Sequence, residues 1–311
     1  MNTDGRPQSP MSNPRADRVK EVARLAGRPS RLRQGRFLAE GPQAVREALA
    51  LHAERTAAGE PPVVEEVFAT EDFLQRHPGL AGKPAPRPVT GEVLAAMSST
   101  VTPQGVIAVC SFIDVTLQHM LAARPRLIAV MAEVRDPGNA GTILRAADSA
   151  GADAVVLSAS SVDLYNPKTV RSTAGSLFHL PVVLGADLDI LLSELRKQGI
   201  SVLAADGYGD VDLDLLQDAS ARRRLNEPSP AAAPASAEAD QGRSDTSDDG
   251  ARLEAPTAWL FGNEAQGLPD AVLGGADHRV AVPIYGRAES LNVGTAATVC
   301  LYASARAQRL G

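Results

Sequence analysis

With 311 residues and 44% apolar content, the chain is large enough for two domains or one large one, and it needs no covalent staple to fold. Cys110 and Cys300 have neither metal-ligand spacing nor a disulfide framework, and no apolar run approaches the roughly 20 residues of a membrane helix or the core of a signal peptide; the expectation is a soluble cytoplasmic protein without a metal. The net charge of −6 argues against a nucleic-acid partner only on average: residues 1–36 hold nine Arg or Lys against three acids, whereas residues 227–255 hold seven acids against two arginines, so a polyanion can still be bound locally.

Residues 1–14 are rich in Pro, Ser and Asn without periodicity, which predicts a disordered tail. Val19, Val22 and Leu25 recur at helical spacing, and Gly27 is placed to end that helix. Arg28 to Arg36, carrying Arg28, Arg31, Arg33 and Arg36, reads as a basic loop that runs into a strand at Phe37–Gly41 and a helix from Pro42 to Leu51. Such a loop is either a solvated charged surface or a phosphate-binding cluster. Strands at Val63–Ala69 and Gly105–Phe112, with a short helix at Glu92–Ser98, complete a small α/β domain over residues 15–112. Residues 113–126 are polar and helical enough to be a linker.

A second domain over residues 127–311 opens with Leu127–Val134, a continuous apolar run of the kind found in a central parallel strand. The turn Arg135–Asn139 follows, then a helix from Ala140 to Ala150 closed by Gly151. Strands at Ala154–Leu157, Leu180–Leu184 and Ser201–Ala205 alternate with loop and helix at Asn166–Ser176 and a helix at Asp187–Gln198, which predicts a mostly parallel sheet with a ligand site on its carboxyl edge. Residues 227–255 have almost no large apolar residue and read as a disordered acidic insertion. The strand pattern resumes at Thr257–Phe261 and Val280–Ile284, and a last helix is expected over Val293–Gln308.

Three polar clusters follow these strands. Asn139 stands where an N-cap belongs, and Arg145 lies roughly 9 Å further along the helix axis, a distance its backward-leaning side chain can span. Arg145 reads either as a solvent-facing charge or as a cation at the edge of a site. Glu264, within Phe261-Gly262-Asn263-Glu264-Ala265-Gln266-Gly267, either makes local turn contacts or meets an arginine or a ligand hydroxyl. Ser290 and Asn292 flank Leu291 and could both cap the last helix. His52, His77, His119, His179 and His278 are scattered without ligand spacing, and His179 reads as a core or boundary histidine. Neither a phosphate loop nor a nucleophile elbow is present.

Taken in order, Asn139-x-Gly141-x-x-x-Arg145, then Phe261-Gly262-Asn263-Glu264-x-x-Gly267, then Pro283 followed by Glu289-Ser290-Leu291-Asn292-Val293, resemble the three motifs of the SpoU (TrmH) family of RNA 2′-O-ribose methyltransferases in the SPOUT superfamily. Arg31–Ala48 and Met97–Gly105 resemble that family's substrate-binding domain, which is similar to ribosomal protein L30e. The resemblance implies an α/β chain: an L30e-like domain, then a SPOUT domain with a parallel sheet and a deep trefoil knot, acting as a homodimer. It implies S-adenosylmethionine as cofactor, received around Gly262, Val282, Ile284, Leu291 and Asn292. Asn139, Arg145, Glu264, Ser290 and Asn292 become the catalytic set, with Arg171 on an RNA phosphate beside the basic cluster Arg28, Arg31, Arg33 and Arg36. The implied substrate is ribosomal RNA, 23S rRNA in the first place. A tRNA methyltransferase and a non-catalytic RNA-binding protein on the same fold are the alternatives. Two departures from the family pattern are Gly294, where the family often has Ser, and the acidic insertion.

Overall fold

The computed structural model describes residues 9–80, 84–225, 250–263 and 266–309. They group into two compact units, one of Met1–Val115, Arg135–Asp148 and Val162–Val182, the other of Thr116–Val134, Ser149–Ser161 and Val183–Gly311. The division is not the expected one at residues 112–127. Two stretches C-terminal to that boundary belong with the N-terminal unit.

The first unit contains a four-stranded sheet of β1 (Arg36–Glu40), β2 (Val64–Thr70), β3 (Arg87–Val89) and β4 (Val106–Ser111), in the order β1-β4-β2-β3. β4 runs antiparallel to both β1 and β2, and β3 is parallel to β2. Helices α1 (Asp17–Ala23), α2 (Arg28–Gln34), α3 (Pro42–Ala57), α4 (Glu71–Arg76) and α5 (Gly91–Met97) belong to it. Val19 and Val22 of α1 and Leu25 just beyond it pack with Leu38, Phe68, Val93 and Met97 as one core, so the helical period read in the sequence does bury one face.

The basic segment is a helix rather than a loop. Gly27 is extended (φ −90°), Pro29 falls in the first turn, and Gly35 adopts φ 63° and donates its N–H to the Arg31 carbonyl at 2.8 Å. Arg, Leu and Gln between these two boundaries are good helix formers. The tail expected over residues 1–14 is described from residue 9, and Met11 pairs with β3 by donating to Pro88 O at 2.9 Å and accepting from Thr90 N at 3.0 Å. α4 and β3 were missing from the sequence reading because each is too short to show a period.

A seven-stranded sheet is built from β5 (Leu127–Met131), β6 (Ala154–Ser158), β7 (Val182–Ala186), β8 (Ser201–Ala205), β9 (Val211–Asp212), β10 (Thr257–Phe261) and β11 (His278–Ala281), in the order β7-β6-β5-β10-β8-β11-β9. β5 with β6, β10 with β5 and β8, and β11 with β8 and β9 all run parallel. β5, β6 and β10 are buried along their whole length, as strands covered on both faces must be. The remaining helices are α6 (Leu117–Ala122), α7 (Pro137–Ala150), α8 (Pro167–Ser172), α9 (Leu188–Lys197), α10 (Leu213–Arg224), α11 (Asp270–Leu273) and α12 (Val293–Arg309). The last two strands are interleaved: β10 lies between β5 and β8, and β11 between β8 and β9.

Most of the acidic insertion, residues 226–249, lies outside the described residues. Its expected C-terminal end is too long, however. Ala251 and Leu253 are buried, and Glu254 is paired with Arg223 at 2.5 Å, so ordered packing resumes before residue 255.

Candidate active site

In the second unit the candidate residues gather where the sheet's strands end. Register places Leu260 of β10 and Arg279 of β11 on either side of Ala204 in β8. Gly262 and Val282 therefore leave the sheet at the same carboxyl edge, two strand spacings or about 10 Å apart.

The turn after β10 is made of backbone. Asn263 donates its N–H to Gly267 O at 2.9 Å, and Gly267 returns its N–H to Asn263 O at 2.8 Å. A Cβ at Gly262 would meet Gly267 O at 2.4 Å and its carbonyl carbon at 2.5 Å. Only glycine fits there, because both obstacles are main chain. Glu264 lies outside the described residues.

After β11 the chain runs without regular structure to α12. Val282 is half-buried, while Ile284 and Leu291 are 39% and 38% exposed. Asn292 is the N-cap of α12: its Oδ1 accepts from Gly294 N at 2.9 Å and its carbonyl from Ala296 N at 2.9 Å. Ser290 is exposed and Gly294 is buried. A small-residue face of α12, including Ala297, Cys300 and Ser304, is buried, and the indole N–H of Trp259 in β10 donates to Ser304 Oγ at 2.9 Å, which anchors the helix. Burial pushes the thiols of both Cys110 and Cys300 far up, so neither is a thiolate nucleophile. The part-exposed aliphatic side chains of Ile284 and Leu291 are apolar surface of the kind that a flat heteroaromatic ligand can cover.

The first unit holds the other candidates. Asn139 is inside the first turn of α7, not at its cap. Asp136 occupies that place, accepting from Asn139 N through Oδ1 at 2.9 Å and from Ala140 N through its carbonyl at 3.0 Å. Asparagine and aspartate cap equally well, so residue type leaves the cap open between the two, and Pro137 at the first helical position marks Asp136. Arg145 is exposed, and among the described residues it has no hydrogen bond or ion pair. A guanidinium left without a protein partner is available to an anion.

Residues 126–302 match the family model described as the SpoU rRNA Methylase family, and residues 16–108 match that of an MRM3-like substrate binding domain. The chain belongs to the SpoU rRNA methylase family. The 23S rRNA (guanosine(2553)-2′-O)-methyltransferase RlmP of Bacillus subtilis is 31% identical over 285 residues, covering 92% of this chain and 94% of that protein. The crystal structure of an RNA 2′-O ribose methyltransferase superposes with a TM-score of 0.70 at 28% identity, covering 97% of this chain and all of the other. The SpoU methyltransferase AviRb of Streptomyces viridochromogenes, crystallised in complex with AdoMet, superposes with a TM-score of 0.69 at 26% identity over 95% of this chain and all of that one.

For the RNA-binding candidates of this SpoU chain, donor saturation decides. Arg31 is 2% exposed; its Nη1 donates to Leu25 O at 2.9 Å and to Ala26 O at 2.6 Å, and its Nη2 pairs with Asp163 at 2.6 Å. It is a structural arginine and is closed to a phosphate. Arg36 is held bidentately by Glu65, with both bonds at 2.8 Å. Arg28 and Arg33 are exposed, Arg28 with only a 3.8 Å approach to Asp163. These two remain open. Arg171 is part-exposed and engaged on one side, by Glu40 and Ser99.

Glu40, Asp136 and Ser99 lie in stretches that the sequence marks without giving these residues a role, and Asp163 carries no mark at all. For Glu40 a signal existed, since an acid ending the apolar strand Phe37-Leu38-Ala39 and followed by glycine has to find donors when buried. His179 is exposed rather than a core residue, bridging Asp148 through Nδ1 at 2.8 Å and Glu47 through Nε2 at 3.4 Å. Among the described residues no three His, Cys, Asp or Glu side chains converge as a metal site, and no helix is long and apolar enough to cross a membrane.

Proposed function

We propose that this protein methylates the 2′-hydroxyl of one ribose in 23S rRNA, taking the methyl group from S-adenosylmethionine. The chain is an RNA 2′-O-ribose methyltransferase by family. The observation that carries the 23S rRNA reading is the end-to-end match to RlmP, which spans both the methylase and the substrate-binding regions.

S-adenosylmethionine is received at the edge of Gly262, Val282, Ile284, Leu291 and Asn292, a reading supported by the two part-exposed aliphatic side chains, which suit an adenosine. Its sulfonium supplies an already activated methyl group. What the protein must add is orientation and a more acidic hydroxyl. Arg145 is the catalytic residue of this account: its exposed guanidinium binds the ribose hydroxyl and the adjoining phosphate, stabilising the developing alkoxide. It acts through charge and its N–H donors, having no lone pair with which to accept a proton as a base. Asn139, near the start of the same helix, orients the nucleotide. Glu264 supports the cofactor, and Asn292 with Ser290 holds the start of α12 against the cofactor edge.

The protein acts as a homodimer, with a C-terminal trefoil knot and an L30e-like N-terminal domain. The interleaving of β10 and β11 between earlier strands supports the knot, and the substrate-binding match over residues 16–108 supports the L30e-like reading. Two buried free cysteines suit a cytoplasmic enzyme. Incubating unmodified 23S rRNA transcript with methyl-labelled S-adenosylmethionine tests the proposal. A single 2′-O-methylated nucleotide is expected, and label on a base or no transfer would refute it.

A further inference from the structure

Glu40 ends β1 with its side chain only 5% exposed, yet it is no simple ion-pair partner. Ser98 Oγ donates to it at 2.5 Å, Ser99 donates through both its N–H and its hydroxyl, and Arg171 Nη1 lies 3.3 Å from Oε1. The same Nη1 donates to Ser99 Oγ at 2.6 Å. One carboxylate therefore fixes two residues of the segment matched to the substrate-binding model and one arginine of the segment matched to the methylase model, all within one compact unit.

Arg171 uses only Nη1 in these contacts, and its side chain is 32% exposed. Its remaining N–H groups have no partner among the described residues, so an entire edge of the fork can take an anion bidentately. The next residue locks the helix in place. Ser172 Oγ lies 2.8 Å from Pro137 O and shares its one proton with Thr169 O of its own helix at 2.7 Å, and a Cβ on Gly141 would fall 1.9 Å from Ser172 Oγ. α8 thus sits directly on the first turn of α7, about 6 Å along the axis from Arg145.

We propose that Glu40 is a positioning residue for a second phosphate contact, holding Arg171 by one edge so that the other receives a phosphate of the RNA strand at an offset from Arg145 set by the Ser172–Gly141 contact. This rests on the methyltransferase reading and names how that site registers its RNA. Electrostatics alone argue the opposite, since removing a carboxylate near bound RNA should tighten binding. The sign of the effect therefore discriminates.

The experiment uses the full-length protein as Glu40→Gln, Arg171→Gln and the double variant. It measures affinity for full-length unmodified 23S rRNA transcript at several salt concentrations, kcat and KM for methyl transfer, S-adenosylmethionine affinity and thermal midpoint. Each single variant should weaken RNA binding about tenfold and raise KM similarly with kcat within about twofold, and Arg171→Gln should flatten the salt slope by about one. The double variant should be no worse than Arg171→Gln, and cofactor affinity should not move. Unchanged or tighter RNA binding by Glu40→Gln, or additive losses in the double variant, would overturn the proposal. Should Glu40→Gln fail to fold, Ser99→Ala removes the hydroxyl bridging to Arg171; weakened RNA binding supports the proposal and unchanged binding overturns it. Absence of methyl transfer by the wild type would instead count against the methyltransferase reading, while the binding measurements still report on the contact.

Discussion

The two compact units present their functional groups differently. The second is shaped by main chain: a turn closed by Asn263 and Gly267, a buried glycine whose Cβ position the Gly267 main chain fills, and a cap at Asn292. The first exposes guanidinium groups, and its arginines differ in how many donors the protein has already used. Arg31 is buried with both terminal nitrogens engaged and its Nε enclosed without a partner, Arg171 is half engaged and Arg145 has no partner among the described residues. The proposed cofactor edge depends on backbone shape, whereas the proposed RNA contacts depend on which cations remain unsatisfied.

That contrast breaks most readily at Arg145. Arg145→Ala is expected to lower kcat by about a thousandfold with little change in S-adenosylmethionine affinity, as measured by single-turnover transfer and calorimetry, because it removes charge stabilisation and no backbone. Gly262→Ala is its counterpart. The added methyl group collides with the Gly267 main chain, so cofactor affinity should fall at least tenfold while RNA affinity is retained.

Arg31→Ala should cost about 2 kcal/mol or more of stability in denaturant titration, by taking this donor from Asp163 Oδ2 and from two carbonyls. Arg28→Ala with Arg33→Ala should leave stability nearly unchanged and reduce RNA affinity several-fold with a shallower salt slope. The reverse outcome for the single and the double variant would overturn the ranking by engaged donors.

The smallest expected effect is at His179. Burial lowers its pKa, but hydrogen bonds and charge from Asp148 and then Glu47 outweigh that and raise it. A raised folded value means the stabilisation is complete below the ordinary histidine range and fades as pH rises through the folded value. His179→Gln should accordingly lower the thermal midpoint at pH 6 more than at pH 9.

Much of this was legible beforehand. The continuous apolar runs at Leu127–Met131 and Thr257–Phe261 mark central parallel strands, and Gly262, Gly267 and Asn292 carry their backbone roles in their residue types. What stayed hidden depends on long-range partners. Nothing local distinguishes Arg31 from Arg33, two residues apart on α2; the difference is Asp163, more than a hundred residues away. Likewise, no spacing links Glu40 to Arg171. The cap at α7 was misplaced by a few residues because Asp136 and Asn139 are both competent to cap.

The most direct measurement maps ribose methylation along full-length unmodified 23S rRNA transcript after incubation with S-adenosylmethionine and either the wild type or Arg145→Ala. The account predicts one 2′-O-methylated nucleotide with the wild type and none above background with the variant, at equal cofactor affinity. Full methylation by Arg145→Ala would contradict it.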